Sequence, residues 1–279
     1  MRVRIDHRTT YSYDRPASGL VQQLRLRPRD HEGQHVVDWR VDVDADGAMR
    51  ECADAFGNAV ATFYADGPVP AVTIRVTGEA DILDTAGVVR APEPLPAAVF
   101  LRHTALTAPG HGIAALAARF AAEPPLAALH GLNLALHREM RFEVGATDAA
   151  TPAAQALGAG HGVCQDFAHI LVAAARALEI PARYVSGHLV REDDQPAAHA
   201  WAEALVPDLG WVAFDPANGV CATDRHLRVA VGLDYLDAAP VRGARRGGGN
   251  ETLDVAVRAV PAQLQSQDSG GRSQSQSQG

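Results

Sequence analysis

The chain has 279 residues, 47% of them hydrophobic and 21% charged, which is enough apolar material for the core of one large domain or two ordinary ones. Its formal net charge of −8 argues against nucleic acid as the main partner, because phosphate binding needs a positive surface. The three cysteines, Cys52, Cys164 and Cys221, are too few and too scattered for a disulfide framework or a zinc site.

The opening, MRVRIDHRTTYSYDRP, has no apolar h-region, and no later stretch reaches the length of a bilayer span. Neither a signal peptide nor a membrane partner is therefore expected, and a cytoplasmic, reducing location fits the cysteine usage. Residues 1–95 read as a sandwich-like β-module. Val3, Ile5 and His7 alternate with Arg2, Arg4 and Asp6, and Leu20, Gln22, Leu24 and Leu26 keep the same period. Val37, Trp39, Val41 and Val43 alternate in the next run. A Gly57-Asn58 turn then separates two short strands, and Val72, Ile74 and Val76 share one face of another. Residues 90–99, RAPEPLPAAV, read as a linker or a segment crossing between domains.

Residues 96–263 read as an α+β core. GIAALAARFAA and LAALHGLNLALHREM are helical in composition. A Gly-rich approach, ALGAGHG, leads to a helix that begins near Val163 and ends before Pro181, with Phe167, Leu171, Ala174 and Leu178 toward the core. RYVSGHLV, AHAWAEALV and GWVAFDP are three consecutive strands, and TLDVAVRAV is one more. The tail from residue 264, rich in Gln and Ser, is expected to be disordered.

Cys164 falls in the first turn of the predicted helix, where free N–H groups and a partial positive charge favour a thiolate and can hold an oxyanion. A thiol nucleophile gains from a base. His199 sits on the second strand, sharing a face with Trp201, Glu203 and Leu205, while Ala200, Ala202 and Ala204 take the other. Asp215 closes the third strand at Pro216, and an antiparallel pairing puts it beside the imidazole, where a carboxylate fixes the tautomer. Each residue alone has an ordinary reading: a buried thiol, one histidine among twelve, an Asp-Pro turn.

Together, GVCQDFAH, HAWAE and GWVAFDPANG resemble the bacterial transglutaminase-like superfamily, whose core is shared with papain-like cysteine proteases. The likeness extends into HLRVAVGLDYLDAAPVRG, and YSYDRP, LRLRPRD and DAFGN are similar to the β-domain that precedes that core. The resemblance implies Cys164 as nucleophile, His199 as base and then acid, and Asp215 as the orienting group. It implies Trp201 as a shield over the His199–Asp215 pair. Gln165 and Asp166 belong to the same motif, with Asp166 suited to stabilising the helix start. Gln155 is a candidate side-chain donor to the oxyanion hole. His161, His169, Cys52 and Cys221 read as structural, and His188 lies near the site. No metal and no cofactor is expected.

The implied chemistry is acyl transfer through a Cys thioester on a peptide or protein substrate. With water as acceptor the chain is a cysteine peptidase or amidase; with an amine it is a protein-glutamine gamma-glutamyltransferase; without activity it is a scaffold. Hydrolysis is favoured because water is in excess and no acceptor-binding module is visible. All 25 basic residues other than histidine are arginine, so the chain has no lysine of its own to cross-link.

Overall fold

The computed structural model describes residues 1–191 and 197–262. The tail expected to be disordered, 264–279, lies outside the described residues. In chain order the first module runs through β1 (Arg2–Arg27), β2 (Gln34–Val43), β3 (Ala48–Ala53) and β4 (Ala59–Ile82). The chain continues through β5 (Val88–Val89) and a 3-10 turn (Ala97–Leu101) to α1 (His111–Ala118) and α2 (Pro125–Glu139). Then come β6 (Arg141–Phe142), α3 (Ala153–Ala159), β7 (His161–Gly162) and α4 (Cys164–Ala177). The strands β8 (Ala182–Leu189), β9 (Ala198–Val206), β10 (Gly210–Asp215), β11 (Val220–Cys221) and β12 (His226–Gly232) follow. The described chain closes with α5 (Tyr235–Ala238), β13 (Val241–Gly247) and β14 (Glu251–Pro261).

The strands form two main antiparallel sheets. In the first, β1 and β4 are long strands that pair along their length, with register breaks between Ser12 and Ala17 of β1. One half of β1 carries β14 and the other carries β13, while β4 carries β2 and β3. Val3 and Ile5 belong to the same buried cluster as Leu24 and Leu26, so the two halves of this sheet close over a common interior. Trp39 anchors it by donating its indole N–H to the Leu26 carbonyl at 2.9 Å. Val37 departs from the expected face: β2 has a register shift between Val36 and Asp38, which leaves Val37 43% exposed while Trp39 is buried.

The boundary expected at residue 95 does not partition the chain. TLDVAVRAV is a strand, but it pairs with residues 3–13 of β1 rather than with the core sheet. The module of residues 1–82 is thus completed by residues 241–261, which alternation alone cannot reveal because any neighbour of matching pattern would serve. In the other direction, Val88 and Val89 join the core sheet by pairing with β10, and Phe100 packs edge-on against Trp211 at 5.0 Å between ring centres. Residues 83–101 therefore act as a cover on the core rather than as a free linker.

The core sheet has the order β11-β10-β9-β8-β12. Ala202 and Ala204 of β9 and Val212 and Phe214 of β10 face α4, and their small side chains let the helix lie close. Every residue of α4 from Asp166 to Arg176 is buried, because α1, α2 and α3 cover the side away from the sheet. The expected single apolar face is therefore only part of a helix enclosed all round. The outer edge, β12, is closed by side chains from the first module. Gln34 and Asn58 each exchange two hydrogen bonds with its backbone, at Arg228 (both 2.9 Å) and at Val231 (2.7 and 2.9 Å). These amides imitate a neighbouring strand on an edge that would otherwise be open.

Candidate active site

Four elements bring the site together. Gly162 turns the chain into α4 with its Cα only a short distance from the Asp166 carboxylate; a Cβ there would lie 2.6 Å from Oδ2. Asp166 Oδ2 accepts the Val163 N–H at 2.8 Å and the Thr147 hydroxyl at 2.6 Å. Burial pushes this carboxyl upward, against the pull of those two hydrogen bonds. Asp166 is thus the clamp that fixes the first turn of α4, and Cys164 is the first helical residue, half-buried at the cleft. The N–H groups of that turn have no partner within the helix.

His199 enters from β9, opposite Gly187 of β8. The missing Cβ at Gly187 makes room for the Trp201 indole, which would otherwise be struck at 2.6 Å. Trp201 is 1% exposed and lies tilted beside His199 at 6.2 Å between ring centres, walling off that side of the imidazole. His199 Nε2 donates to Asp215 Oδ2 at 2.8 Å. The Cys164 thiol lies close enough to the ring to influence its protonation. Burial alone would lower the imidazole's pKa. The Asp215 hydrogen bond and the charges of Asp215 and Cys164 outweigh it and raise the ring to about 10. Cys164, His199 and Asp215, separated by 35 and 16 residues in sequence, therefore come together in one row, joined at one end by the His199–Asp215 hydrogen bond.

Asp215 is wholly buried. A carboxylate in that position is stable only if its oxygens are paired, and two residues not singled out from the sequence complete the pairing. Asn218 donates its side-chain N–H to Oδ2 at 2.6 Å and its backbone N–H to Oδ1 at 3.3 Å. His226, from the start of β12, places Nε2 3.1 Å from Oδ2. Its other nitrogen accepts the Thr223 N–H at 3.0 Å, so Nδ1 carries the lone pair and Nε2 carries the proton that Asp215 receives. Burial favours protonating Asp215, but the donors from His199, His226 and Asn218 hold it well below the usual carboxylate range. Asn218 had a faint signal in its position three residues after Asp215 in a turn. His226 had none, being one histidine of twelve on an otherwise ordinary strand.

His199, Asp215 and His226 have the residue types of a metal site, with ligand atoms within 4.8 Å of one another. The hydrogen bonding favours another use. A metal at His226 Nε2 would need the ring proton on Nδ1 and an acceptor beside it, whereas Nδ1 faces a backbone donor. The group is a hydrogen-bond relay centred on the carboxylate.

The remaining candidates fall outside this row. Gln155 sits exposed on α3, a helix where a Gly-rich loop was expected. That helix ends at Gly160 with φ of +70°, and Gln155 is exposed on it. Gln165 is half-buried, with a long 3.4 Å contact to the Ala149 carbonyl. His169 is buried, accepts the Tyr235 N–H at 3.0 Å and is pushed down to about 4 by burial. His188 is 4% exposed and packs edge-on against His7 of β1 at 5.8 Å, so it joins the two sheets instead of facing the cleft. Half-buried His161 lies on β7, Cys52 is exposed on β3 and Cys221 is half-buried on β11.

Residues 3–81 match the family model of the bacterial transglutaminase-like N-terminal region, and residues 114–216 match that of the transglutaminase-like superfamily. An uncharacterized protein of Mycobacterium leprae is 32% identical over 274 residues, 92% of this chain and 97% of that protein. One of Mycobacterium tuberculosis is 30% identical, with 93% of each chain covered. The crystal structure of a Cytophaga hutchinsonii protein, described there as a candidate cysteine protease, superposes with a TM-score of 0.76 at 22% identity. The match covers 94% of this chain and 91% of that one, a likeness of fold.

Proposed function

The chain belongs to the transglutaminase-like superfamily, and from that premise we propose that it is a cysteine hydrolase acting on a peptide or amide bond. The observation that carries this reading is the row in which His199 Nε2 bonds the buried Asp215 carboxylate at 2.8 Å while Cys164 lies close enough to the same ring to help hold it up at about 10. A sulfur anion at Cys164 would face an imidazolium and the N-terminus of α4, both of which stabilise negative charge.

In the proposed reaction Cys164 Sγ attacks the carbonyl carbon, and the carbonyl oxygen becomes an oxyanion facing the Cys164 N–H. His199 passes its Nδ1 proton to the departing amine as the C–N bond breaks, leaving a thioester. Water then attacks the thioester while His199 Nδ1 takes its proton. The C–S bond then breaks, the carboxylic product leaves, and the thiolate is restored beside the imidazolium that keeps that proton. Asp215, Asn218 and His226 take no part in bond making; they keep the imidazole aligned. Transfer to an amine would follow the same path with the amine in place of water.

The test is single-turnover release of ammonia or amine from a peptide and carboxamide pool, with mass spectrometry of the protein during turnover. The expected result is an acyl adduct on Cys164 that decays in water without added amine. Turnover that proceeds unchanged in Cys164→Ala would overturn the mechanism. A thioester that persists in water and is released only by an amine would replace hydrolysis with transamidation.

A further inference from the structure

The turn that carries Asn218 is held from outside the site. Residues 215–220 reverse the chain between β10 and β11. Asn218 sits within the turn, its Nδ2 2.6 Å from Asp215 Oδ2 and 3.4 Å from His199 Nε2. A small shift of this turn is therefore felt at both the carboxylate and the imidazole. Inside the turn the Asn218 N–H reaches the Asp215 carbonyl at 3.2 Å, while Pro216 has no N–H to donate.

The two carbonyls that bracket Asn218 and Gly219 are taken by α2. His137 places Nδ1 3.1 Å from the Ala217 carbonyl, and Asn133 donates from Nδ2 to the Val220 carbonyl at 3.2 Å. These residues are four apart, one turn of a single helix face. A carbonyl can only accept, so His137 carries a proton on Nδ1. The His137 ring also lies against Gly219, where a Cβ would come within 2.7 Å of it. Gly219 has a φ of +69°, so glycine is required there by the backbone and by the neighbouring ring alike.

The other side of α2 keeps its two donors in register with the turn. Leu129, Leu132 and Leu136 are buried in the same core as Val212 and Phe214 of β10, so α2 cannot slide without opening that core. Asn133 is buried, and losing it would disturb the fold itself. His137 is exposed. An exposed side chain contributes little to stability, so its effect on the turn can be measured apart from its effect on folding.

We propose that His137 is a positioning residue: its Nδ1–H holds the Ala217 carbonyl and so sets Asn218 on the carboxylate that aligns His199. The proposal rests on the acyl-transfer reading of the cleft, in which that alignment serves Cys164. The experiment follows alkylation of Cys164 by iodoacetamide, located by mass spectrometry, in the full chain. His137→Ala should slow it roughly three- to tenfold, with the melting temperature changed by no more than about 2 °C. His137→Asn puts a donor where Nδ1 stands and should restore the rate. His137→Gln puts one where Nε2 stands and should not. In a chain carrying Asn218→Ala, adding His137→Ala should have no further effect, because its route to the carboxylate is gone. A rate in His137→Ala within about twofold of wild type, equal losses with and without Asn218, or rescue by glutamine as good as by asparagine would each overturn the proposal. Deuterium exchange of the Asn218 side-chain amide, followed by NMR, reads the same contact without the thiol. It should quicken in His137→Ala and stay slow in His137→Asn; equal exchange in wild type and His137→Ala would also overturn it. A wild-type Cys164 no more reactive than Cys52 would instead count against the acyl-transfer reading, and the exchange measurement would still decide the role of His137.

Discussion

Asp215 Oδ2 accepts from three donors at once, His199, His226 and Asn218, and that crowding sets an order of importance among single substitutions. Cys164→Ala should abolish single-turnover product release, because the nucleophile is gone. His199→Ala should be nearly as damaging, since both the base and the acid are lost. Asp215→Ala should be milder, as a misaligned imidazole still reacts part of the time. His226→Ala removes one hydrogen bond to a buried charge, a loss of about 1.5–3 kcal/mol, or roughly 10- to 150-fold in rate. His226→Gln keeps a donor near the same place and should recover most of that rate with KM unchanged; no recovery would mean that the ring matters for packing alone. Cys52→Ser and Cys221→Ser should leave the chemistry intact.

At the scale of elements, the edge of β12 depends on two amides from elsewhere in the chain. Asn58 lies in a turn whose sequence, Gly57-Asn58, advertises only chain reversal, yet its side chain satisfies both backbone groups of Val231. Asn58→Leu would leave the N–H and C=O of Val231 unpaired in a buried position, and should cost roughly 2–4 kcal/mol in urea unfolding. Asn58→Asp restores the acceptor alone and should fall between the two. An unchanged midpoint in Asn58→Leu would show that the junction is held by apolar packing instead. The start of α4 is the other exacting element. Gly162→Ala must displace the Asp166 carboxylate that clamps Val163, so it should lower the alkylation rate of Cys164 more than it lowers the melting temperature.

Across the whole molecule, acid should act through buried histidines. Burial pushes His7 and His169 down to about 4 and His188 to about 3, from an ordinary value near 6.5. Below pH 6.5 the unfolded chain binds protons that the folded chain refuses, so stability should fall from there toward pH 4. Melting temperature measured every half unit of pH should drop across that window, and His188→Phe should flatten the slope. His199 acts in the opposite direction: its raised value contributes stability below pH 6.5 that is lost as pH rises through about 10. The first module cannot be removed at residue 95. β13 and β14 would lose their partner β1, and a chain beginning at residue 96 should be insoluble on expression; a soluble, cooperatively melting product would refute this.

The sequence by itself marked most of the local elements and the three residues proposed to react. Period-two alternation marks strands wherever one face is buried, and a cysteine followed by a long apolar stretch before Pro181 marks α4. The combination GVCQDFAH, HAWAE and GWVAFDPANG is specific as a set because nucleophile, base and orienting group each need a particular residue type. Only the tertiary structure decided which strands pair. Residues 252–260 alternate equally well against either sheet, and their place beside β1 follows from contacts nearly the whole chain length apart. It also decided how the buried charge of Asp215 is balanced. Asn218, three residues on in the turn after β10, is the partner its spacing faintly signals, whereas His226 reaches that carboxylate only through the approach of β12, which leaves no period or spacing in the chain from which to read it.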